Sequence, residues 1–459
     1  MFTKLTFNRV LLLIFGALIV LAIVLVFLLT AQGQRIRHAK VDTALVTQER
    51  HQKIVLSLGQ PLDSISEQQI EFKPRADFSV LTNGATVVIQ LKERLRYETK
   101  YEVTLSALRN VSGGLSKKNL TYSFETKPAL FTYLKRNYES KDASVLFETS
   151  KGDDEIYQAK PNSQEDEVVF ASSIIQEYCR AGKNLVIATL TNDDTVSLKI
   201  LNLDSRQIRD VDMPEQNGAL ASLRCAPSGE NFGYLFTSEN DGRYKSTLVV
   251  SKTSDPSQKK TMNGVDGLVV RPREWSFAPD GTSIVTNDNN NSALLIDGTG
   301  AQRPSPLGQV YSLYNFTYDG RAIVAADRAG GLFLLDIPTF KKSAISNSND
   351  TRSPANAFAL SNSVGSIRRI AAVGSDALIL ETPDVEKEVY KSKRSDSILY
   401  NYGTSPNDQY LYATYAKDTS FTYDDYTHRP LPQDMSTIII DLHSLKVVKE
   451  VDGFDLMWR

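Results

Sequence analysis

The residues best suited to chemistry in this chain are few and scattered. Four histidines, His38, His51, His428 and His443, stand far apart, and Cys179 and Cys225 are the two cysteines. No His-Glu-x-x-His occurs, so zinc-ligand spacing is missing. Gly-x-Ser-x-Gly, the nucleophile elbow of serine hydrolases, is missing as well. Oxygen donors gather at Asn287-Asp288-Asn289-Asn290-Asn291. A calcium loop would need spaced carboxylates and a bidentate Glu, and tight turns select the same residues. No metal site and no cofactor are assigned. The segment suited to recognition is Phe421-Thr422-Tyr423-Asp424-Asp425-Tyr426-Thr427-His428. Phe421, Tyr423, Asp424, Asp425, Tyr426 and His428 are the candidate binding residues, because aromatic rings supply contact area and their polar neighbours supply hydrogen bonds. A solvated loop packed across an edge would use the same composition.

These residues need a scaffold, and its mark is Arg273-Glu274-Trp275-Ser276-Phe277-Ala278-Pro279-Asp280-Gly281 followed by the apolar Ser283–Thr286. Pro fixes φ and Gly supplies a positive φ, so two strands joined by a tight turn are expected. Variants recur. Stepping from Asp142 through Gly182, Gly229, Gly281, Gly320 and Gly365 to Asp408, the intervals are 40, 47, 52, 39, 45 and 43 residues. Periods of roughly 40–50 residues with four short strands each indicate propeller blades, seven in number here. The recognition segment then lies in an insertion, Lys417 to Ser436, between the second and third strands of the seventh repeat. Tyr311, Tyr314, Tyr400, Tyr402, Tyr410, Tyr412 and Tyr415 fall on expected strands and are assigned to packing between blades.

Trp-Ser-x-Ala-Pro-Asp-Gly, followed by an apolar strand and then the Leu294–Asp297 strand, resembles the TolB-type propeller repeat over about residues 130–459. The resemblance implies the fold and says little about function. Residues 51–127 resemble a bacterial Ig-like domain of the SbsA type. Pro61-Leu62-Asp63, the Leu95 to Val103 segment, Asn110-Val111-Ser112-Gly113 and Phe124-Glu125-Thr126 carry that likeness.

Ahead of both, Val10 to Leu29 holds twenty uncharged residues, about the length a helix needs to cross hydrocarbon. The expectation is an uncleaved transmembrane helix at residues 10–30 behind a tail at 1–9, with a stalk at 31–50. A cleaved signal peptide would have a shorter apolar core and a small-residue cleavage site. Lys4 and Arg9 face Arg35, Arg37 and Lys40 across the segment, a count slightly favouring a cytoplasmic C-terminal side. The two β-domains nonetheless suggest the extracytoplasmic orientation.

The fold class expected is thus all-β: a seven-bladed β-propeller preceded by an Ig-like β-sandwich and one N-terminal transmembrane helix. A formal charge of −2 gives no global pull toward nucleic acid. The function expected is a membrane-anchored, extracytoplasmic binding or scaffold protein that presents its propeller to a protein or glycan partner in the cell envelope. The rival is a propeller enzyme acting on envelope polysaccharide through carboxylates in the funnel. Two structural expectations follow from the repeat. Phe454–Trp458 is a surplus strand expected to close the first blade beside Ser144–Glu148, with Phe131–Lys135 further out. Cys179 and Cys225 end the first strands of adjacent repeats, close enough for a disulfide, with two buried thiols as the other outcome.

Overall fold

The computed structural model describes residues 11, 14–21, 34–111, 114–116, 118–137, 152–190, 195–215, 217–239, 244–317, 320–344, 358–363, 366–373, 377–381, 386–392, 397–417, 432 and 435–459. It divides into two compact units, Met1–Pro128 and Ala129–Arg459.

In the first unit, alternation of apolar and polar residues builds two antiparallel sheets. One is ordered Ile36–Lys40, Lys53–Leu58, Thr86–Leu91, Phe78–Asn83, and the other Ile70–Lys73, Lys100–Leu105, Leu120–Glu125. Their inward residues, such as Ile54, Leu56, Val87, Ile89, Val103, Leu105 and Phe124, form one core.

Two expectations about the leading residues are corrected. Among the described residues no helix is long and apolar enough to cross a membrane. The stalk is not a stalk throughout: Ile36–Lys40 is an edge strand paired with Lys53–Leu58, and Leu45–Gln48 is a helical turn that buries Val46. Arg-His-Ala-Lys hides that strand in the sequence, because an edge strand tolerates charge.

Among the described residues the second unit contains seven four-stranded antiparallel sheets. Six are built from consecutive strands. They run from Ile175 to Val211, Gly218 to Thr261, Glu274 to Gln309, Ser312 to Ala344, Phe358 to Lys391, and Ser397 to Asp452. The first strands of the sheets from Ile175 through Lys391 touch in succession, which makes each of these sheets a blade with its first strand innermost. The remaining blade is composite. Its order is Phe454–Trp458, Phe131–Lys135, Asp154–Ala159, Glu167–Ser172.

The closing strand therefore pairs directly with Phe131–Lys135, with Trp458 opposite Phe131 and Met457 opposite Thr132. Ser144–Glu148, the neighbour expected from the sequence, lies outside the described residues. Trp458 packs edge-on against Phe131 at 5.5 Å and stacks on Tyr410 of the seventh blade at 5.8 Å. Of the tyrosines assigned to packing, Tyr402, Tyr410 and Tyr415 are buried. Tyr311 departs from that assignment: it is 46% exposed and lies under the Arg273 guanidinium.

Turn glycines join the blades on the face of the first-to-second strand connections. Gly229 adopts φ +75°, and a Cβ there would lie 2.8 Å from the Gly182 nitrogen of the preceding blade. Gly320, at φ +71°, would meet Pro279 at 2.9 Å in the same way. The repeat thus demands glycine both for φ and for close approach.

Cys179 and Cys225, on the innermost strands of the second and third blades, form a disulfide with Cα atoms 5.5 Å apart. With a sequence separation of 46, the chain-entropy relation gives a stabilisation of about 4 kcal/mol. Replacing both cysteines by alanine should lower the denaturant midpoint without changing the ligand-free fold. An unchanged midpoint, or two titratable thiols in the denatured, unreduced wild type, would contradict this.

Candidate functional site

Two places in the propeller gather polar side chains, the channel inside the ring and a cleft on its rim. In the channel, bulges in the innermost strands free backbone N–H groups that need acceptors. The third blade is bulged between Ala221 and Arg224, with Ser222 at φ +54°. Glu177 of the second blade reaches across and accepts from Ser222 N–H at 3.2 Å and Leu223 N–H at 2.6 Å. The fifth blade is bulged after Leu313, and Glu274 of the fourth blade accepts from Leu313 N–H at 2.8 Å.

Between the two acids stands Arg224, enclosed by the ring yet reached by solvent. Burial lowers its pKa, and Glu177 and Glu274 oppose that shift. Tyr178 donates to the Asp455 carbonyl at 2.5 Å, tying the second blade to the closing strand. Burial holds the Tyr178 phenol well above its usual range. These two carboxylates and the Tyr178 phenol are bound into blade-to-blade contacts.

The cleft lies between the third and fourth blades, on the face that carries the second-to-third strand connections. It encloses about 750 Å³. Lys245 and Ser246 lead into Thr247–Lys252, Arg271 and Arg273 precede the first strand of the fourth blade, and Asn289 sits in the next turn. Among the described residues Glu239 is the one acid in its lining. Lys245, Arg271 and Asn289 are exposed.

Arg273 is held in place. It donates to Asn291 Oδ1 at 3.3 Å and to the Tyr311 carbonyl, and its guanidinium lies 5.4 Å from the Tyr311 ring centre. Thr237 Oγ1 accepts from Ser246 N–H at 2.9 Å, which fixes that wall. A fixed guanidinium beside two exposed cations suits an anionic group.

Phe421, Tyr423, Asp424, Asp425, Tyr426 and His428 lie outside the described residues, so they are not placed with either feature. Asn287 is buried and donates to the Tyr311 carbonyl at 3.1 Å, while Asp288 Oδ1 accepts from Asn290 and Ser292 N–H. The Asn-rich stretch thus serves a turn. Sequence reasoning missed the cleft, whose nearest local sign is Arg271-Pro272-Arg273.

No protein-family model matches the sequence, and no curated protein does. Solved structures similar to the chain include a β-propeller domain and TolB proteins. The β-propeller domain of the Trilobed protease from Pyrococcus furiosus is 13% identical, with a TM-score of 0.46, covering 69% of this chain and 93% of that one. TolB from Acinetobacter baumannii is 11% identical, with a TM-score of 0.38, covering 79% and 80%. A putative TolB from Agrobacterium tumefaciens is 14% identical, with a TM-score of 0.37, covering 56% and 89%. At these scores they carry no functional argument, and the ring rests on its own strand pairing.

The role of Glu177 is open to direct measurement. Glu177→Ala should cost about 1–3 kcal/mol, because two N–H groups lose their acceptor. Glu177→Gln keeps one acceptor oxygen but turns an NH2 group toward the other N–H, so it should recover only part of that in urea unfolding. Equal stability of Glu177→Ala and wild type would remove the structural role.

Proposed function

We propose that this chain is a non-catalytic binding or scaffold protein that presents its propeller to a protein or glycan partner outside the cytoplasm. The observation that carries this reading is the cationic cleft on the loop-bearing face, open to solvent and built on a rigid ring. The channel carboxylates support it from the other side. Glu177 and Glu274 accept backbone N–H groups of neighbouring blades, whereas glycoside hydrolysis needs an acid and a base or nucleophile directed at substrate. The disulfide between Cys179 and Cys225 favours an oxidising compartment.

The full chain incubated with cell-envelope extract should form a saturable complex that co-elutes in size-exclusion chromatography. It should release no reducing ends from envelope polysaccharide. Turnover of that polysaccharide, abolished by Glu177→Gln or Glu274→Gln in a variant that still folds, would replace this reading with the enzymatic one.

A further inference from the structure

We propose that the cleft between the third and fourth blades is a docking site for an acidic peptide segment of the partner, an inference that rests on the binding-module reading. Its charge is the first argument. Among the described residues its lining holds Lys245, Arg271 and Arg273 with the acid Glu239, and Arg273 Nε also lies 3.9 Å from Glu274. Arg271 and Lys245 are exposed, so a ligand carboxylate can approach them from solvent.

Preorganisation is the second argument. Arg273 is held through Asn291, the Tyr311 carbonyl and the Tyr311 ring. Less side-chain freedom is then lost when it meets a carboxylate, and the planar guanidinium can donate to both carboxylate oxygens at once. Ser246 and Asn289 stand beside the cations and offer hydrogen bonds to peptide amides.

The class of partner follows from what surrounds the charge. A volume of about 750 Å³ accommodates a short extended segment, not a nucleic-acid duplex. Among the described residues the lining includes no aromatic side chain on which a sugar ring or a base would stack. The chain's formal charge of −2 supplies no general attraction for polyanions, so the recognition is local. An acidic peptide fits these conditions better than an acidic glycan.

Fluorescence anisotropy on the full chain tests this with a labelled peptide of eight residues rich in Asp and Glu. Its Asn/Gln counterpart, an oligogalacturonate and inorganic phosphate serve as competitors. The acidic peptide should bind, and binding should weaken as salt rises. Its Kd should rise at least tenfold in a Lys245→Glu/Arg271→Glu variant whose melting temperature matches wild type. The amide counterpart should not compete. Absence of acidic-peptide binding, equal affinity in the variant, or stronger competition by oligogalacturonate or phosphate than by unlabelled peptide would each overturn the proposal. The two readings separate in the envelope-extract experiment. A partner captured equally by wild type and variant refutes the cleft but leaves the binding module standing. Capture by neither refutes the module itself.

Discussion

The propeller depends on one non-local pairing, between Phe454–Trp458 and Phe131–Lys135. A ring of blades has an open edge until its first and last blades share a sheet, and an open edge is a template for pairing with other chains. Polar contacts surround the junction. Lys449, buried in the seventh blade, reaches Asp166 at 2.5 Å and the Ser163 carbonyl at 2.6 Å. Tyr133 donates to the same Asp166 at 2.8 Å. Asn162 meets the Tyr410 hydroxyl at 3.2 Å, and Lys135 pairs with Asp452 at 3.4 Å.

Inside the same junction is a buried ion pair, Arg136 to Asp154 at 3.6 Å, with side chains 1% and 0% exposed. Desolvation makes such a pair costly unless its remaining capacity is met. Here Arg136 donates to the Ile175 carbonyl at 2.9 Å and Asp154 accepts from Ile175 N–H at 2.9 Å. The guanidinium also lies 5.4 Å from the Phe454 ring centre. One residue pair thereby addresses the closing strand and the second blade together. Removing either partner would strand a buried charge, which explains why the pair belongs at closure rather than on the surface. Glu177 and Glu274 repeat the device at the bulges, with carboxylates spanning adjacent blades. At the channel these carboxylates hold neighbouring blades together.

Turn chemistry is local, and so the blade pattern was legible. Gly182, Gly229, Gly281 and Gly320 all adopt positive φ in the structure, as the Pro-Asp-Gly-like steps imply. The partner of the closing strand was not legible, because the choice between Phe131–Lys135 and Ser144–Glu148 is made by tertiary contacts such as Trp458 on Tyr410. Ile36–Lys40 escaped notice for a related reason: paired on one side and polar in sequence, it lacks the periodic signature of a core strand. The cleft was illegible in a stronger sense. Lys245, Arg271, Arg273 and Asn289 are each ordinary surface residues, and only the ring brings them together. Aromatic and acidic clustering pointed instead to the insertion around Phe421–His428, a stretch that the described residues do not include.

Hydrogen exchange read by mass spectrometry tests the closure most directly. Backbone N–H groups held in a cooperative sheet exchange only when that sheet opens, whereas those in a free tail exchange at once. Peptides covering 453–459 should be as slow as those covering Ile175–Ala181, the innermost strand of the neighbouring blade. Exchange of 453–459 within the fastest time point, with Ile175–Ala181 still protected, would contradict the closure.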